Sequence, residues 1–395
     1  MNRKIAAHYL CPIVDKPIKN GMITIDESGK ILDISKPSGS LDRIAGLEFY
    51  SGILVPGFVN THCHLELSHM KSKIPMHTGL PGFVSQINKH RQANSESIIK
   101  AAKRADISMQ YNGILAVGDI SNNETTFAIK KESKIHYHSF LEIFSLNPAL
   151  AMEKFEQAVE LENELKNLKL SSSIVPHAPY SVTPEMFKLI DKHAFENKNT
   201  ICIHNQETES ENELYQSKSG ELAELFIKAG FDLNGIAATG KNSLESIMIH
   251  LAKSLKIILV HNTFTKEKDI EEASAYFKNL YWTMCPNANL YIENKLPDIP
   301  LFYKMGQKIT LGTDSLASNH QLSILEEMKT IQQFYPEIPI NELFRWATLN
   351  GAEALGLSSQ FGSFEIGKTP GINLIHNFDI QNFRFKPESQ VKKLN

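Results

Sequence analysis

Cysteine is scarce in this chain. Its four cysteines, Cys11, Cys63, Cys202 and Cys285, stand far apart with no CxxC spacing. That argues against a disulfide framework and against a thiolate zinc site. Long apolar runs are missing too, since none approaches the roughly 18 to 20 residues that cross a bilayer. Residues 1–12 carry Arg3 and Lys4 but lack the apolar core and small-residue cleavage site of a signal peptide. Cytoplasmic residence is therefore the expectation, with no membrane partner. Neither sign of charge dominates: 41 basic and 44 acidic side chains give a formal net charge of -3. A nucleic-acid footprint would need a basic excess. No GxGxxG turn follows an early strand, which counts against an open dinucleotide-binding sheet.

What remains is an ordinary globular composition, 42% hydrophobic and 22% charged, which supplies ample core material for 395 residues. That length suits one large barrel with a small partner domain, or two medium domains. The ends read as β-structure. Met22–Asp26 and Ile31–Ile34 flank the turn Glu27-Ser28-Gly29-Lys30, a β-hairpin. Gly362–Lys368 leads into Ile372–Ile375 in the same manner. Neither end can bury a core alone, so residues 1–54 and 355–395 are expected to share one small β-sandwich-like domain.

The centre alternates short β-rich runs with helical patterns. The runs are Ile53–Asn60, Ile114–Ile120, Ile135–Phe144, Ser173–His177, Thr200–His204, Ile257–His261, Tyr281–Cys285 and Lys308–Asp314. Helical stretches such as Ala151–Leu168, Pro184–Asn197 and Leu322–Phe334 lie between them. Eight βα units over residues 55–354 predict an α/β fold, a (β/α)8 TIM barrel.

The 15 histidines then acquire a pattern. The first run leads into His62-Cys63-His64, and residues two apart in an extended chain face the same way. His177, His204 and His261 close the fourth, fifth and sixth runs, and Asp314 closes the eighth. Barrel enzymes build their sites from the C-terminal ends of strands. A single histidine there is an ordinary core residue, but four strands ending in histidine are hard to explain by packing. Neutral imidazoles on one rim suit a metal.

These segments resemble the amidohydrolase superfamily, in its metal-dependent aminohydrolase branch. The resemblance rests on Pro56–His64, His177-Ala178-Pro179-Tyr180, His204 with Glu207, Cys285-Pro286-Asn287-Ala288-Asn289, and Gly312-Thr313-Asp314-Ser315 followed by Ser318-Asn319. It implies one divalent metal, zinc first and iron second, held by His62, His64, His204 and Asp314. The fourth run carries no lysine that could be carboxylated, which favours a mononuclear site. The resemblance further implies that Glu207 protonates a ring nitrogen, that His261 handles the proton of the attacking water, that Asp314 passes a proton to the departing amine, and that His177 touches substrate. Read alone, Glu207 stands in an acidic run with Glu209, Glu211 and Glu213, the usual look of a solvated face.

The implied reaction is hydrolytic deamination of a small amino-heterocycle by water, and family members are often homo-oligomers. The string His62-Cys63-His64-Leu65-Glu66-Leu67-Ser68 is most similar to the aminodeoxyfutalosine deaminase group, which serves menaquinone synthesis. Chlorohydrolases and guanine or cytosine deaminases are the alternative. In the first long loop Glu66 and Phe83 are candidate substrate contacts, Phe83 by stacking on a flat ring. Arg91, Lys71 and Lys73 are candidate partners for a substrate carboxylate. His320 stands where the family commonly has asparagine.

Overall fold

The computed structural model describes residues 2–37, 41–233, 236 and 238–395. Among these described residues there are fifteen strands. Seven lie at the chain ends: β1 (Arg3–Leu10), β2 (Ile18–Lys19), β3 (Met22–Ile25), β4 (Ile31–Ser35), β5 (Leu47–Val55), and, near the C-terminus, β14 (Asn373–His376) and β15 (Gln390–Lys393). The central strands are β6 (Phe58–Cys63), β7 (Ile114–Ser121), β8 (His136–Ile143), β9 (Ser171–Pro176), β10 (Thr200–Asn205), β11 (Lys256–His261), β12 (Asn279–Met284) and β13 (Ile309–Leu311).

The two chain ends meet in one mixed sheet of order β15-β14-β5-β1-β3-β4, with β2 paired to the C-terminal end of β1. The hairpin of β3 and β4 forms as read from the sequence. Its turn is tied by Asp26, whose Oδ1 accepts the backbone N–H groups of Ser28 (2.8 Å) and Lys30 (3.0 Å). Alternation along β5 explains where the sheet sits. Leu54 joins Ile5, Ile23, Phe364 and Leu374 in a small cluster on one face. Ile53 and Val55 point the other way, into the main core. Among the described residues this part is a single sheet, with no facing sheet to complete a sandwich.

The run Ile53–Asn60 is not one strand. It breaks at Pro56-Gly57, where Ile53–Val55 end β5 and Phe58 begins β6. Proline cannot donate to a ladder. A Cβ at Gly57 would lie 3.0 Å from both Leu115 Cβ and Pro370 O, a tight approach that favours glycine at the crossing.

The eight central strands are all parallel within two sheets of four, β6-β7-β8-β9 and β10-β11-β12-β13. Backbone bonds join the sheets at both seams. His204 N–H donates to His177 O at 3.0 Å on one side, and Thr313 N–H donates to His62 O at 3.0 Å on the other. Both seams therefore lie at the histidine-bearing strand ends. Helices fill the connections. In Pro184–Asn197, Thr183 caps the N-terminus by accepting from Met186 N, and Pro184 occupies the first turn. Met186, Phe187, Ile190 and Ala194 form its buried stripe, and Lys198 ends it in the left-handed conformation. No helix among the described residues is long and apolar enough to cross a membrane.

One ion pair, Lys130 with Asp119, is fully buried. Lys130, on the short helix Phe127–Glu132, has a fully buried side chain. Its ammonium meets Asp119 Oδ2 at 2.7 Å, Ser121 Oγ at 2.6 Å and Ser139 Oγ at 2.9 Å. The other oxygen, Asp119 Oδ1, accepts the N–H of Leu65 at 2.8 Å, directly after His64. Removing one partner of such a pair strands a buried charge. Lys130→Met is expected to destabilise the fold by roughly 3–5 kcal/mol in urea unfolding. A loss under about 1 kcal/mol, the ceiling for most surface pairs, would show that the pair is not what holds this layer.

Candidate metal centre

Each strand end supplies its group by a local device. On β6, Asn60 Nδ2 donates to Thr313 Oγ1 at 2.7 Å while its Oδ1 accepts Thr313 N–H at 3.1 Å. This clamps the two strand ends that carry His62 and Asp314. Gly312 makes the approach possible, because a Cβ there would lie 2.8 Å from His62 Cβ. Past β13 the chain leaves the ladder and Asp314 takes a φ of 54°. Gln206 (44°) and His261 (73°) are likewise in the left-handed region, which non-glycine residues occupy at a cost. Such backbone thus falls at or just past the ends of β10, β11 and β13.

The imidazoles converge. His62 Nε2 lies 3.1 Å from His64 Nε2, and His64 Nε2 lies 3.4 Å from His204 Nε2. Asp314 Oδ1 is 3.6 Å from His62 Nε2 and 3.3 Å from His64 Nε2. Four ligands at about 2.0–2.1 Å from a tetrahedral ion sit about 3.3 Å from one another. The observed spacings fit that shell. Tautomer evidence agrees. His204 Nδ1 lies 2.7 Å from the carbonyl of His177, so the proton is on Nδ1 and the lone pair of Nε2 faces the cluster. Burial holds His64 below its usual pKa and His204 well below it, which keeps both neutral and able to ligate. At Asp314 burial works to raise the pKa, but His62, His64 and His261 together hold it well below the carboxylate range. Ser318 Oγ donates to its second oxygen, Oδ2. The residues fit one divalent cation.

Beside this cluster stand His261 and Glu207. His261 Nε2 is 3.6 Å from Glu207 Oε1, and both side chains are buried. Burial lowers His261 to about 3. Glu207 moves the other way: burial first, then Asp314, Glu293 and Glu211, push its pKa well above the carboxylate range. The acidic run is therefore divided. Glu209 is exposed, whereas Glu207 and Glu211 are buried. Glu211 accepts the N–H groups of Gln206 (2.9 Å) and Glu207 (3.2 Å), folding the turn that presents Glu207.

His177 is half-buried, with Nδ1 held by Ser181 Oγ at 2.7 Å and its ring 4.9 Å from that of His204. The structure places Phe83 in the main hydrophobic cluster, 8% exposed, within helix Gly79–His90. The ring open beside His177 is Phe144, at 6.0 Å and 50% exposed. Glu66 is buried and already engaged by Arg91 Nη2 (3.0 Å) and Asn122 N–H (3.0 Å). Burial still raises it to about 7. His320 is exposed against Tyr291, while Asn319 is buried and donates to Thr313 O at 2.9 Å and Glu327 Oε1 at 2.9 Å. A separate cavity lined by Cys11, Ile13, Phe344 and Arg345 shares no residue with this site.

Sequence reasoning passed over Asp119, Lys130, Glu142 and Glu327. The first and third are charges inside apolar strand runs, Ile114–Ile120 and Ile135–Phe144, and that position was the available signal.

Comparison with known proteins identifies the family. The model of the amidohydrolase family matches residues 53–393. An adenosine deaminase of Helicobacter pylori is 25% identical over 82% of this chain and 79% of its own length. An aminodeoxyfutalosine deaminase of a Nitratiruptor species is 27% identical over the same shares. The crystal structure of Helicobacter pylori aminofutalosine deaminase with methylthio-coformycin superposes with a TM-score of 0.82 at 22% identity, covering 97% of this chain and 93% of that one. The fold is shared with that enzyme.

Proposed function

We propose, for a chain that belongs to the amidohydrolase family and is a hydrolytic deaminase, that its substrate is an adenine-type nucleoside, with aminodeoxyfutalosine the leading candidate. A place in menaquinone synthesis goes with that substrate. The single observation that carries the reading is Glu207: a carboxyl whose burial favours its protonated form, 3.6 Å from His261 and beside a cluster with metal-ligand spacing. The two curated relatives named above support the nucleoside class.

We read the two half-sheets, joined at both seams, as one (β/α)8 barrel of residues 55–354, and the terminal sheet as a second domain of residues 1–54 and 355–395. His62, His64, His204 and Asp314 would hold one divalent ion, zinc by its preference for nitrogen with one carboxylate in a tetrahedron. When bound, such an ion acidifies water from a pKa of 15.7 towards about 7, which supplies a nucleophile at neutral pH. Deamination adds water at the carbon bearing the amine and releases ammonia. Glu207 donates its proton to the adjacent ring nitrogen, which makes that carbon electrophilic. His261, neutral and facing Glu207, orients the water and accepts its proton at Nε2. Asp314, held anionic by His62, His64 and His261, takes the second proton of the added water and passes it to the departing amine. His177 and the open face of Phe144 offer the heterocycle a hydrogen bond and an apolar surface.

The substrate test is an ammonia-release screen on aminodeoxyfutalosine, adenosine, 5′-deoxyadenosine, methylthioadenosine, S-adenosylhomocysteine, guanine and cytosine. Highest kcat/KM on an adenine nucleoside is expected. Preference for guanine or cytosine would replace the nucleoside reading with the alternative one.

A further inference from the structure

Glu142 has no part in the steps above, yet it is the most unusual buried carboxylate near them. It lies on β8 with its side chain 4% exposed. Its Oε2 accepts Asn122 Nδ2 at 3.1 Å, while its buried Oε1 has no hydrogen-bond partner. That orphan oxygen sits 3.5 Å from His204 Nδ1.

Two arrangements could use it. Glu142, His177 and His204 stand close enough to suggest a second cation site. The tautomer of His204 rules that out, because its Nδ1 carries the hydrogen that reaches His177 O. A protonated nitrogen cannot ligate. What remains is a carboxylate oxygen 3.5 Å from the Nδ1 of His204, whose hydrogen goes to His177 O and whose other nitrogen faces the proposed metal. Such outer partners fix ring orientation and raise the basicity of the ligating nitrogen.

The carboxylate is itself held from a distance. Asn122 Oδ1 accepts Arg91 Nη2 at 2.6 Å, and Asn122 N–H donates to Glu66 Oε2 at 3.0 Å. Arg91 Nη2 also donates to Glu66 Oε1 at 3.0 Å. Arg91 and Glu66 thus grip Asn122 from two sides and turn its amide NH2 towards Glu142. Arg91 caps the C-terminal end of helix Gly79–His90 in the first long loop.

We propose that Glu142 is a positioning residue for the metal centre, and that the chain Arg91–Asn122–Glu142–His204 couples the first loop to metal retention. The proposal rests on the metal-centre reading above and adds residues that the reading does not use.

The test measures zinc affinity by chelator competition, on full-length wild-type protein and on Glu142→Gln and Arg91→Met, with thermal unfolding of the metal-free proteins alongside. Glu142→Gln is expected to bind zinc roughly 10–100-fold more weakly, with unfolding of the metal-free protein unchanged. Arg91→Met is expected to fall between that variant and wild type. Wild-type affinity in Glu142→Gln would overturn the proposal. Should Glu142→Gln fail to fold, Arg91→Met decides: weakened zinc retention supports the coupling, and unchanged retention overturns it. A wild-type protein that takes up no zinc would overturn the metal-centre reading itself, a result distinct from equal affinity across all three proteins.

Discussion

Glu207→Gln is expected to lower deamination by roughly 10²–10⁴-fold, the usual worth of a positioned proton donor, while the metal stays bound. The carboxamide keeps the shape of the buried side chain and removes only the transferable proton. The same argument sets the pH profile. Burial, with Asp314, Glu293 and Glu211, raises the pKa of Glu207, so its useful protonated form persists above the ordinary carboxylate range. In the wild type kcat/KM therefore falls as pH rises through that raised pKa, because the acid is lost. The residual activity of Glu207→Gln should lack that falling limb. Steady-state kinetics between pH 5 and pH 9 with metal analysis of each sample reads both effects. Near-wild-type turnover would remove Glu207 from proton transfer. Lost metal would recast it as a structural residue.

Asp314→Asn is the second large effect. Asp314 is buried, and its carboxylate faces His62 at 3.6 Å and His64 at 3.3 Å. Asparagine preserves the strand end and the Ser318 contact but takes away the anion. It also takes away the acceptor that relays a proton to the leaving amine. Metal affinity is expected to fall by more than the roughly 10–100-fold that outer partners cost, and turnover to fall further still, even with zinc restored in excess. Isothermal titration with zinc and ammonia release measure the two losses separately. Full turnover at saturating zinc would assign Asp314 to binding alone.

How much of this was legible in the sequence depends on the range of the interaction. The convergence of the histidines was legible because its pattern is local. His62 and His64 share a face by the two-residue period of a strand, and the other histidines fall at the ends of recognisable β-rich runs. Glu207 was harder. An alternating acidic run looks the same whether it lies in water or half inside, and here Glu211 turns inward to bind the backbone at 206 and 207. Asp119 and Glu142 offered only a charge inside an apolar run, and Lys130 offered nothing, because each is defined by a partner far along the chain or in another element. The Leu65 N–H bond to Asp119 spans 54 residues. Phe83 shows the same limit from the other side, since helical spacing cannot say whether an aromatic faces the core or the pocket. The structure packs it in the core and leaves Phe144 open. Strand ends also moved for physical reasons. The eighth strand is only Ile309–Leu311, because Gly312 admits His62 and Asp314 turns into the left-handed region.

The most direct test of the central claim joins metal content to ammonia release on one preparation. Purified protein is stripped by a chelator, then reloaded with increasing zinc, and ammonia from an adenine nucleoside is measured at each step. One metal per chain at saturation is predicted, with activity absent in the stripped protein and rising in proportion to bound metal. Ammonia release that survives complete removal of metal, or none at full occupancy with any nucleoside of the panel, would contradict it.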